Sequence, residues 1–192
     1  MRQSVSGRNA GLLSYQAGYS LVELLVVTTL AAILSMVAIP AMTEMINSQR
    51  SIALASAFLS SLNLARAEAI KRNGRTVLCK SVDGLTCADT GGWEQGWIVF
   101  HDVDNDAALD LGEQVIERHG GVADGLSLSG NTPVANYVSF SASGSAKLVS
   151  GAFQAGTFTL CPPSSSTSDI RQVVLSSTGR ARSRKGVATD CP

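Results

Sequence analysis

A run of 20 residues without a charged side chain, residues 24–43, limits most strongly what this chain can fold into. About 20 predominantly apolar residues in a helix span the hydrocarbon core of a bilayer. Hydrophobic residues make up 45% of the sequence and charged residues only 16%, which is not the composition of a disordered chain. The sequence therefore predicts a folded protein with a membrane anchor and argues against a purely cytoplasmic globular enzyme.

Charge is unevenly distributed along the chain. Fifteen basic and 15 acidic residues leave no net charge at pH 7. Ten of the acidic residues lie between positions 83 and 124, whereas residues 170–186 contain five basic residues and no acidic one. The neutral total argues against a generally basic coat for wrapping nucleic acid, but it leaves room for a local basic patch.

The first 18 residues have the character of a targeting segment. They contain Arg2 and Arg8, no acidic residue, and they end in Gly18. An ordinary secretory signal carries its cleavage site after the apolar run. Here the small residue precedes the run, so the run stays on the mature protein. By the positive-inside rule, the basic leader remains cytoplasmic and everything beyond Thr43 lies outside.

Glu23 stands at the entrance of the apolar run. A carboxylate inside a membrane segment costs roughly 2.5 kcal/mol or more, so it normally has a partner or a function. One interpretation is that Glu23 lies at the headgroup boundary and snorkels. The other is that it pairs with a cation of a second chain.

Residues 18–26 read Gly-Tyr-Ser-Leu-Val-Glu-Leu-Leu-Val and resemble the class III signal of type IV prepilins and pseudopilins. The resemblance implies that a prepilin peptidase cuts between Gly18 and Tyr19, that Tyr19 is then N-methylated, and that Glu23 guides assembly. Residues 1–18 become a removed leader. The chain departs from the family in two respects, because Tyr19 replaces the usual Phe and the leader is long.

An apolar stripe continues beyond Pro40. Its members recur at the three- and four-residue spacing of one helix face, and they are Met45, Ile52, Ala55, Leu59, Leu62, Ala65 and Ala69. The pattern predicts one helix over residues 20–73, with a transmembrane half at 19–43 and an amphipathic half at 44–73. Pro40 predicts a kink. Gly74, preceded by two cations, predicts the stop.

Short β-rich runs replace the helical pattern from Arg75 onward. Gly, Asn, Ser and Pro separate these runs, which are residues 76–79, 96–100, 114–117, 137–140, 156–160 and 172–176. The sequence therefore predicts an α+β protein in which one antiparallel β-rich domain, residues 74–192, packs on the long N-terminal helix. The pilin resemblance implies the same arrangement, the type IV pilin-like fold.

A second resemblance narrows the family. Residues 64–72, 93–100 and 176–180 are similar to segments of the GspH/FimT-type minor pilins. In that family, GspH serves as a minor pseudopilin of type II secretion, whereas FimT and FimU serve as minor pilins of type IV pili. The resemblance covers most of residues 18–182, and residues 120–155 match only in general character.

Four cysteines lie on the predicted outer side, at Cys79, Cys87, Cys161 and Cys191. An even number in an oxidising compartment predicts two disulfides. Three pairings are possible. Cys79–Cys87 with Cys161–Cys191 is favoured, because each bond closes a loop-rich segment and the second tethers the tail. A metal site would need Cys-x-x-Cys spacing or nearby histidines, and the sequence has neither.

Residues 102–113 match part of a calcium-binding pattern. Acidic side chains stand at positions 1, 3, 5, 9 and 12 of a twelve-residue loop. Ala107 occupies the sixth position, where such loops need glycine, and the flanks read as strands. An acidic turn that joins two strands is the favoured interpretation, with calcium as the alternative. No metal or cofactor is predicted.

The sequence contains no constellation that predicts an enzyme. His101 and His119 are the two histidines, and each reads as a strand or surface residue. There is no Gly-x-Ser-x-Gly elbow and no Gly-rich phosphate loop.

Four cations fall within six residues near the end of the chain: Arg180, Arg182, Arg184 and Lys185. In an extended strand the three arginines lie on one side, about 6.6 Å apart, which is close to the phosphate spacing of a nucleic-acid strand. Gly-Arg-Ala-Arg at 179–182 also resembles the Gly-Arg-x-Arg motif through which FimT-type pilins bind DNA. The resemblance implies DNA contact by Arg180 and Arg182, extended by the other two cations. The alternatives are a solvated turn or a contact with acidic residues of a neighbouring pilin.

Together these features predict a minor type IV pilin at or near the pilus tip, which helps to initiate assembly and contacts DNA during natural transformation. Its expected partners are other minor pilins, the major pilin, the inner-membrane assembly platform and, as processing enzyme, prepilin peptidase. Before assembly it crosses the inner membrane once, with the C-terminal domain in the periplasm. The alternative is a minor pseudopilin of type II secretion, a structural subunit without a nucleic-acid role.

Overall fold

A computed structural model describes residues 18–122, 125–162 and 170–191 of the chain. The chain divides into two compact units, Met1–Met42 and Thr43–Pro192. One helix, α1 (Leu21–Arg72), begins in the first unit and ends in the second. The predicted leader, residues 1–18, lies outside the described residues except for Gly18.

Helix α1 begins and ends within one residue of the predicted span, and it continues unbroken through Pro40. The predicted kink at Pro40 stays a prediction. At the other end, Asn73 adopts a left-handed backbone with φ 50°. The N–H of Gly74 bonds to the carbonyl of Ala69 at 3.2 Å, and that of Asn73 to Ile70 at 3.3 Å, which is the Schellman pattern. Asn73, and not Gly74, is therefore the residue that needs the left-handed conformation.

Gly74 is required for a different reason. A Cβ atom at this position would lie 2.7 Å from Nε2 of His101, on the strand that passes beneath the helix end. Such a short approach would force the imidazole to move. The chain therefore turns from helix to sheet through a residue that leaves room for a neighbouring side chain.

The described residues after α1 form eight strands: β1 (Arg75–Lys80), β2 (Gly96–Asp102), β3 (Val115–Gly120), β4 (Ser127–Gly130), β5 (Tyr137–Phe140), β6 (Gly156–Cys161), β7 (Arg171–Leu175) and β8 (Ala181–Lys185). They form two four-stranded sheets, with the orders β3-β2-β1-β5 and β4-β6-β7-β8. All pairs are antiparallel. The six predicted runs are all strands, and β4 and β8 are additional.

The core lies between the second half of α1 and both sheets. Phe58 of α1 is fully buried at its centre and makes edge-to-face contacts with Trp93, Trp97 and Phe158, at centroid distances of 5.2, 5.1 and 4.6 Å. Such contacts add to the free energy of apolar burial. The α+β fold is confirmed, but the buried helix face differs in part from the predicted stripe. Leu54 and Phe58 are buried although they were not predicted. Ile52 and Leu59 are only half-buried, and Met45 is 65% exposed.

A smaller apolar cluster covers the other face of the first sheet. It consists of Val77, Cys79, Ile98 and Phe100, with loop residues packed over it. Alternation along β1 and β2 therefore places apolar side chains on both faces, one toward the helix and one beneath the loops.

Candidate functional site

The N-terminal signal lies immediately before α1. Gly18, Tyr19 and Ser20 are exposed, and the carbonyl of Ser20 accepts the N–H of Leu24 at 3.1 Å, the first bond of the helix. Glu23 stands in the first turn, where a carboxylate is favoured by the helix dipole. The predicted cleavage position therefore lies among exposed residues before the helix, and Glu23 lies in the first helical turn.

The first half of α1 is long and apolar enough to cross a membrane, with a mean hydropathy of 2.4 over its most apolar window. Large apolar side chains are exposed along it, from Leu21 to Met42. None of the described residues covers this window. The segment therefore presents an apolar surface to whatever surrounds it.

The predicted basic cluster forms an edge strand. Among the strands that the structure describes, β8 is the last of the second sheet and pairs with β7 alone, with Arg184 opposite Gln172 and Arg182 opposite Val174. Arg180 directly precedes the strand. Within the described ranges 18–122, 125–162 and 170–191, none of the four predicted cations forms an ion pair. Their charge is therefore not neutralised by a described carboxylate.

Alternation along β8 sorts the four cations onto two faces. Ala181, like its neighbours Val173 and Leu175 on β7, packs toward the core. Residues of even number therefore point the other way, outward, which places Arg180, Arg182 and Arg184 together as the strand prediction required. We call these three side chains the outer basic face. Lys185 has an odd residue number and pairs with Arg171 on β7. Its side chain therefore lies on the other face of the strand and does not belong to the outer basic face.

The outer basic face borders a small recess. Val174, Ser176, Arg180 and Arg182 line this recess, whose volume is about 150 Å³. Next to it, Nε of Arg184 donates to Oε1 of Gln172 at 2.7 Å, which holds that guanidinium against the sheet. Arginine forks of this kind match phosphate oxygens.

A tight turn positions Arg180. The N–H of Gly179 bonds to the carbonyl of Ser176 at 2.8 Å, and Ser176 in turn donates to the carbonyl of Arg180 at 3.0 Å. Gly179 has φ +77°, a conformation that glycine adopts at little cost. A Cβ atom there would overlap the carbonyl oxygen of Gly144. The glycine that precedes the first arginine is therefore required by the turn itself.

Two disulfides close the β-rich unit. They join Cys79 to Cys87 and Cys161 to Cys191, which is the pairing that the sequence favoured. The first holds the loop after β1, and the second fastens the residues after β8 to β6. β8 is therefore held at both ends. The turn at Gly179 connects its start to β7, and the Cys161–Cys191 disulfide connects the residues after its end to β6.

The acidic loop joins β2 to β3 and brings part of its carboxylates together. Oxygens of Asp102, Asp104 and Asp106 lie within 4.8 Å of one another. Asp102 is buried and accepts the N–H groups of Asn105 at 2.7 Å and Ala107 at 3.1 Å. Burial raises the pKa of this carboxyl group. The loop is thus an acidic turn between strands, as favoured, with its deepest carboxylate engaged by its own backbone.

The two remaining positions of the calcium pattern do not join this cluster. Glu113 accepts the N–H of Val103 at 2.6 Å and that of Asp110 at 3.2 Å, so it closes the turn. Ala107, where calcium loops have glycine, has φ +64°. The loop therefore has a left-handed residue at the sixth position of the calcium pattern. Its acidic side chains do not all gather at one place, because only Asp102, Asp104 and Asp106 form the described cluster.

Both histidines lie in strands, as predicted. His119 stacks on Trp97 with a centroid distance of 3.9 Å and an interplanar angle of 7°. His101 lies against Gly74. Each ring therefore has a packing role.

Sequence comparison assigns the family. The profile described as type II transport protein GspH matches residues 54–179. The chain belongs to the GspH family. The prokaryotic N-terminal methylation motif matches residues 13–39, which includes the Gly18–Tyr19 bond and Glu23. No curated protein matches the chain significantly.

The crystal structures of one minor pilin show the same fold as this GspH-family chain. The type IV minor pilin FimU of Pseudomonas aeruginosa is 19% identical, with a TM-score of 0.53 over 79% of this chain and 96% of that one. A second crystal form of FimU gives 20% identity and a TM-score of 0.50, covering 73% and 95%. The minor pseudopilin EpsH from the type 2 secretion system of Vibrio cholerae is 14% identical, with a TM-score of 0.49, covering 71% and 97%.

The family and the methylation motif make the protein a pilin-like subunit of the GspH type. Its apolar helix is long enough to anchor such a subunit in a membrane. The family match ends at Gly179, so the outer basic face lies immediately beyond the matched segment.

Proposed function

We propose that this GspH-family protein is a minor pilin at or near the tip of a type IV pilus, where it helps to initiate assembly and contacts DNA. The methylation motif followed directly by an exposed apolar helix supports incorporation into a filament. The outer basic face supports the DNA contact, because two arginines of β8 and the one that directly precedes it face outward without a described carboxylate partner. The outer basic face is the observation on which the proposed DNA contact rests.

Processing follows the prepilin route in this proposal. Prepilin peptidase removes residues 1–18, Tyr19 becomes the methylated N-terminus, and Glu23 docks against the amine of a neighbouring subunit. Before assembly the apolar segment crosses the inner membrane and the β-rich unit faces the periplasm, where an oxidising environment favours both disulfides. The partners are other minor pilins, the major pilin and the assembly platform.

DNA binding is tested with the full-length protein in non-ionic detergent and a fluorescently labelled duplex. Fluorescence anisotropy over a range of salt concentrations gives the affinity and its salt slope. Each phosphate contact contributes about 0.9 to that slope. Arg180→Gln with Arg182→Gln should lower the slope by about two and the affinity at low salt by about tenfold.

The matched control removes two exposed cations away from β8 instead, Arg50→Gln on α1 with Arg118→Gln on β3, and should bind like the parent. If the parent does not bind at low salt, or if both double variants bind equally, the DNA contact is wrong. The outer basic face would then be a contact for acidic residues of a neighbouring subunit.

The family description favours a second candidate, a minor pseudopilin of type II secretion. Deletion of the gene distinguishes the two. Loss of surface pili with normal secretion of exported enzymes supports the pilus, whereas the reverse result supports the pseudopilus and leaves no role for DNA.

A further inference from the structure

Arg66 of α1 reaches the turn that carries Arg180. Its Nε donates to the carbonyl oxygen of Gly144 at 2.9 Å. Gly179 packs on the same carbonyl, and a Cβ atom at position 179 would lie 3.2 Å from Nε of Arg66. The helix, the loop at Gly144 and the turn between β7 and β8 therefore meet at one guanidinium group.

The two terminal nitrogens of the Arg66 guanidinium group are available to bind a ligand. Within the described residues 18–122, 125–162 and 170–191, neither terminal nitrogen of Arg66 has a hydrogen-bond or ion-pair partner. Neither is among the buried polar atoms that lack a partner, so solvent reaches both. The next acidic residue along the helix, Glu68, is occupied by Lys71 at 2.9 Å and Arg72 at 2.7 Å. The charge of Arg66 is therefore not compensated nearby.

A guanidinium held through Nε is well prepared to bind a phosphate. The bond to Gly144 limits the rotation of the plane, so less conformational entropy is lost when the two terminal nitrogens engage an anion. Those two nitrogens form a fork that matches two oxygens of one phosphate group.

Arg66 and Arg180 border the same turn. Nε of Arg66 lies 3.2 Å from the position of a Cβ atom at Gly179, and Arg180 follows Gly179 directly. The side chains that line the recess here, Val174 and Ser176 with the two arginines, are not aromatic. Single-strand binding depends on stacking against aromatic rings, so this surface favours the phosphates of a duplex.

We propose that Arg66 is a further phosphate-binding residue, and that the DNA surface extends from β8 around the turn to the C-terminal part of α1, where it takes the backbone of double-stranded DNA. This inference rests on the DNA contact proposed above. It also accounts for the meeting of two separate segments, residues 64–72 and 176–180, at a single site.

Two substitutions in the full-length protein in detergent test the role of Arg66. Arg66→Gln removes the charge and should lower the salt slope of duplex binding by about one, with a loss of affinity of about threefold to tenfold at low salt. Arg66→Lys keeps the charge and should keep the slope, but with reduced affinity, because an ammonium group lacks the planar two-nitrogen fork that matches two phosphate oxygens. Arg50→Gln removes the same charge from the same helix and should change neither quantity.

Protection of the unsubstituted protein avoids any effect of substitution on folding. A 30-base-pair duplex should shield Arg66, Arg180 and Arg182 from an arginine-specific dicarbonyl reagent, as read by mass spectrometry, and leave Arg50 reactive. A single strand of equal length should protect less. Protection of Arg180 and Arg182 without Arg66, or an unchanged slope in Arg66→Gln, overturns the inference and leaves the DNA contact in place. Protection of none of the three overturns both.

Discussion

The indole N–H of Trp97 donates a hydrogen bond of 2.9 Å to the hydroxyl of Ser61, inside the apolar contact between β2 and α1. Both residues are buried. The hydroxyl also lies 3.1 Å from Oε1 of Glu117 on β3. A short polar chain therefore fixes the position of the helix on the first sheet, where apolar packing alone would allow sliding.

Replacement of Ser61 by Ala should destabilise the β-rich unit. The indole N–H of Trp97 would remain buried without its acceptor, which costs about 1–3 kcal/mol. Denaturant unfolding followed by tryptophan fluorescence measures this change, because Trp93 and Trp97 are both fully buried. Ser60→Ala, on the exposed side of the same turn, should stay within about 0.5 kcal/mol of the parent. Equal effects of the two substitutions would contradict a role for the bond.

Replacement of Gly179 by Ala should lower the free energy of unfolding by more than the cost of a left-handed alanine backbone alone. Gly151 is a matched control, since its φ is +85° and no atom lies within 4 Å of a Cβ there. Gly151→Ala should cost about 1 kcal/mol for the left-handed backbone. Gly179→Ala should cost about 2–4 kcal/mol, because the new methyl group also overlaps Gly144. The same unfolding measurement gives both values, and a difference near zero would refute the close approach.

Replacement of Glu23 by Gln should separate membrane insertion from assembly. Insertion depends on the apolar run and should be normal, whereas docking needs the carboxylate and should fall. Immunoblots of the membrane fraction and of sheared filaments measure the two steps. Glu44→Gln, at the next acidic position of α1, should assemble normally. Normal filament levels of Glu23→Gln would mean that this carboxylate only snorkels at the membrane surface.

The mature N-terminus should be Tyr19. Mass spectrometry of filament-associated protein should find the peptide that begins at Tyr19 with one added methyl group, and no peptide from residues 1–18. Protein from cells that lack prepilin peptidase provides the control and should retain the leader. An intact segment from Arg2 to Gly18 in assembled filaments would contradict the prepilin interpretation.

The periodic spacing of apolar residues in the sequence predicted the helix and most of the strands. The bounds of α1 and six of the strands follow from such patterns, because burial of one face requires regular spacing. β4 escaped prediction since Ser127–Gly130 has a single large apolar residue, Leu128, and becomes a strand only by pairing with β6. β8 carries three charges among its five residues, so its sequence pattern alone does not identify it as a strand. Edge strands commonly contain such charges, which discourage unwanted pairing.

The candidate site was predictable in part. The three arginines share a face as alternation required, but the opposite placement of Lys185 follows only once Ala181 is known to pack on the core. Arg66 could not be linked to Gly179 from sequence, because 113 positions separate them and the contact passes through Gly144. The helix stop was assigned to Gly74 for its residue type, whereas Asn73 also tolerates the left-handed region.

The continuity of α1 has a mechanical consequence. The apolar anchor and the residues that bury Phe58 share one uninterrupted backbone from Leu21 to Arg72, with no linker between them. A force carried along this backbone therefore reaches the residues around Phe58 without passing through a flexible segment of α1.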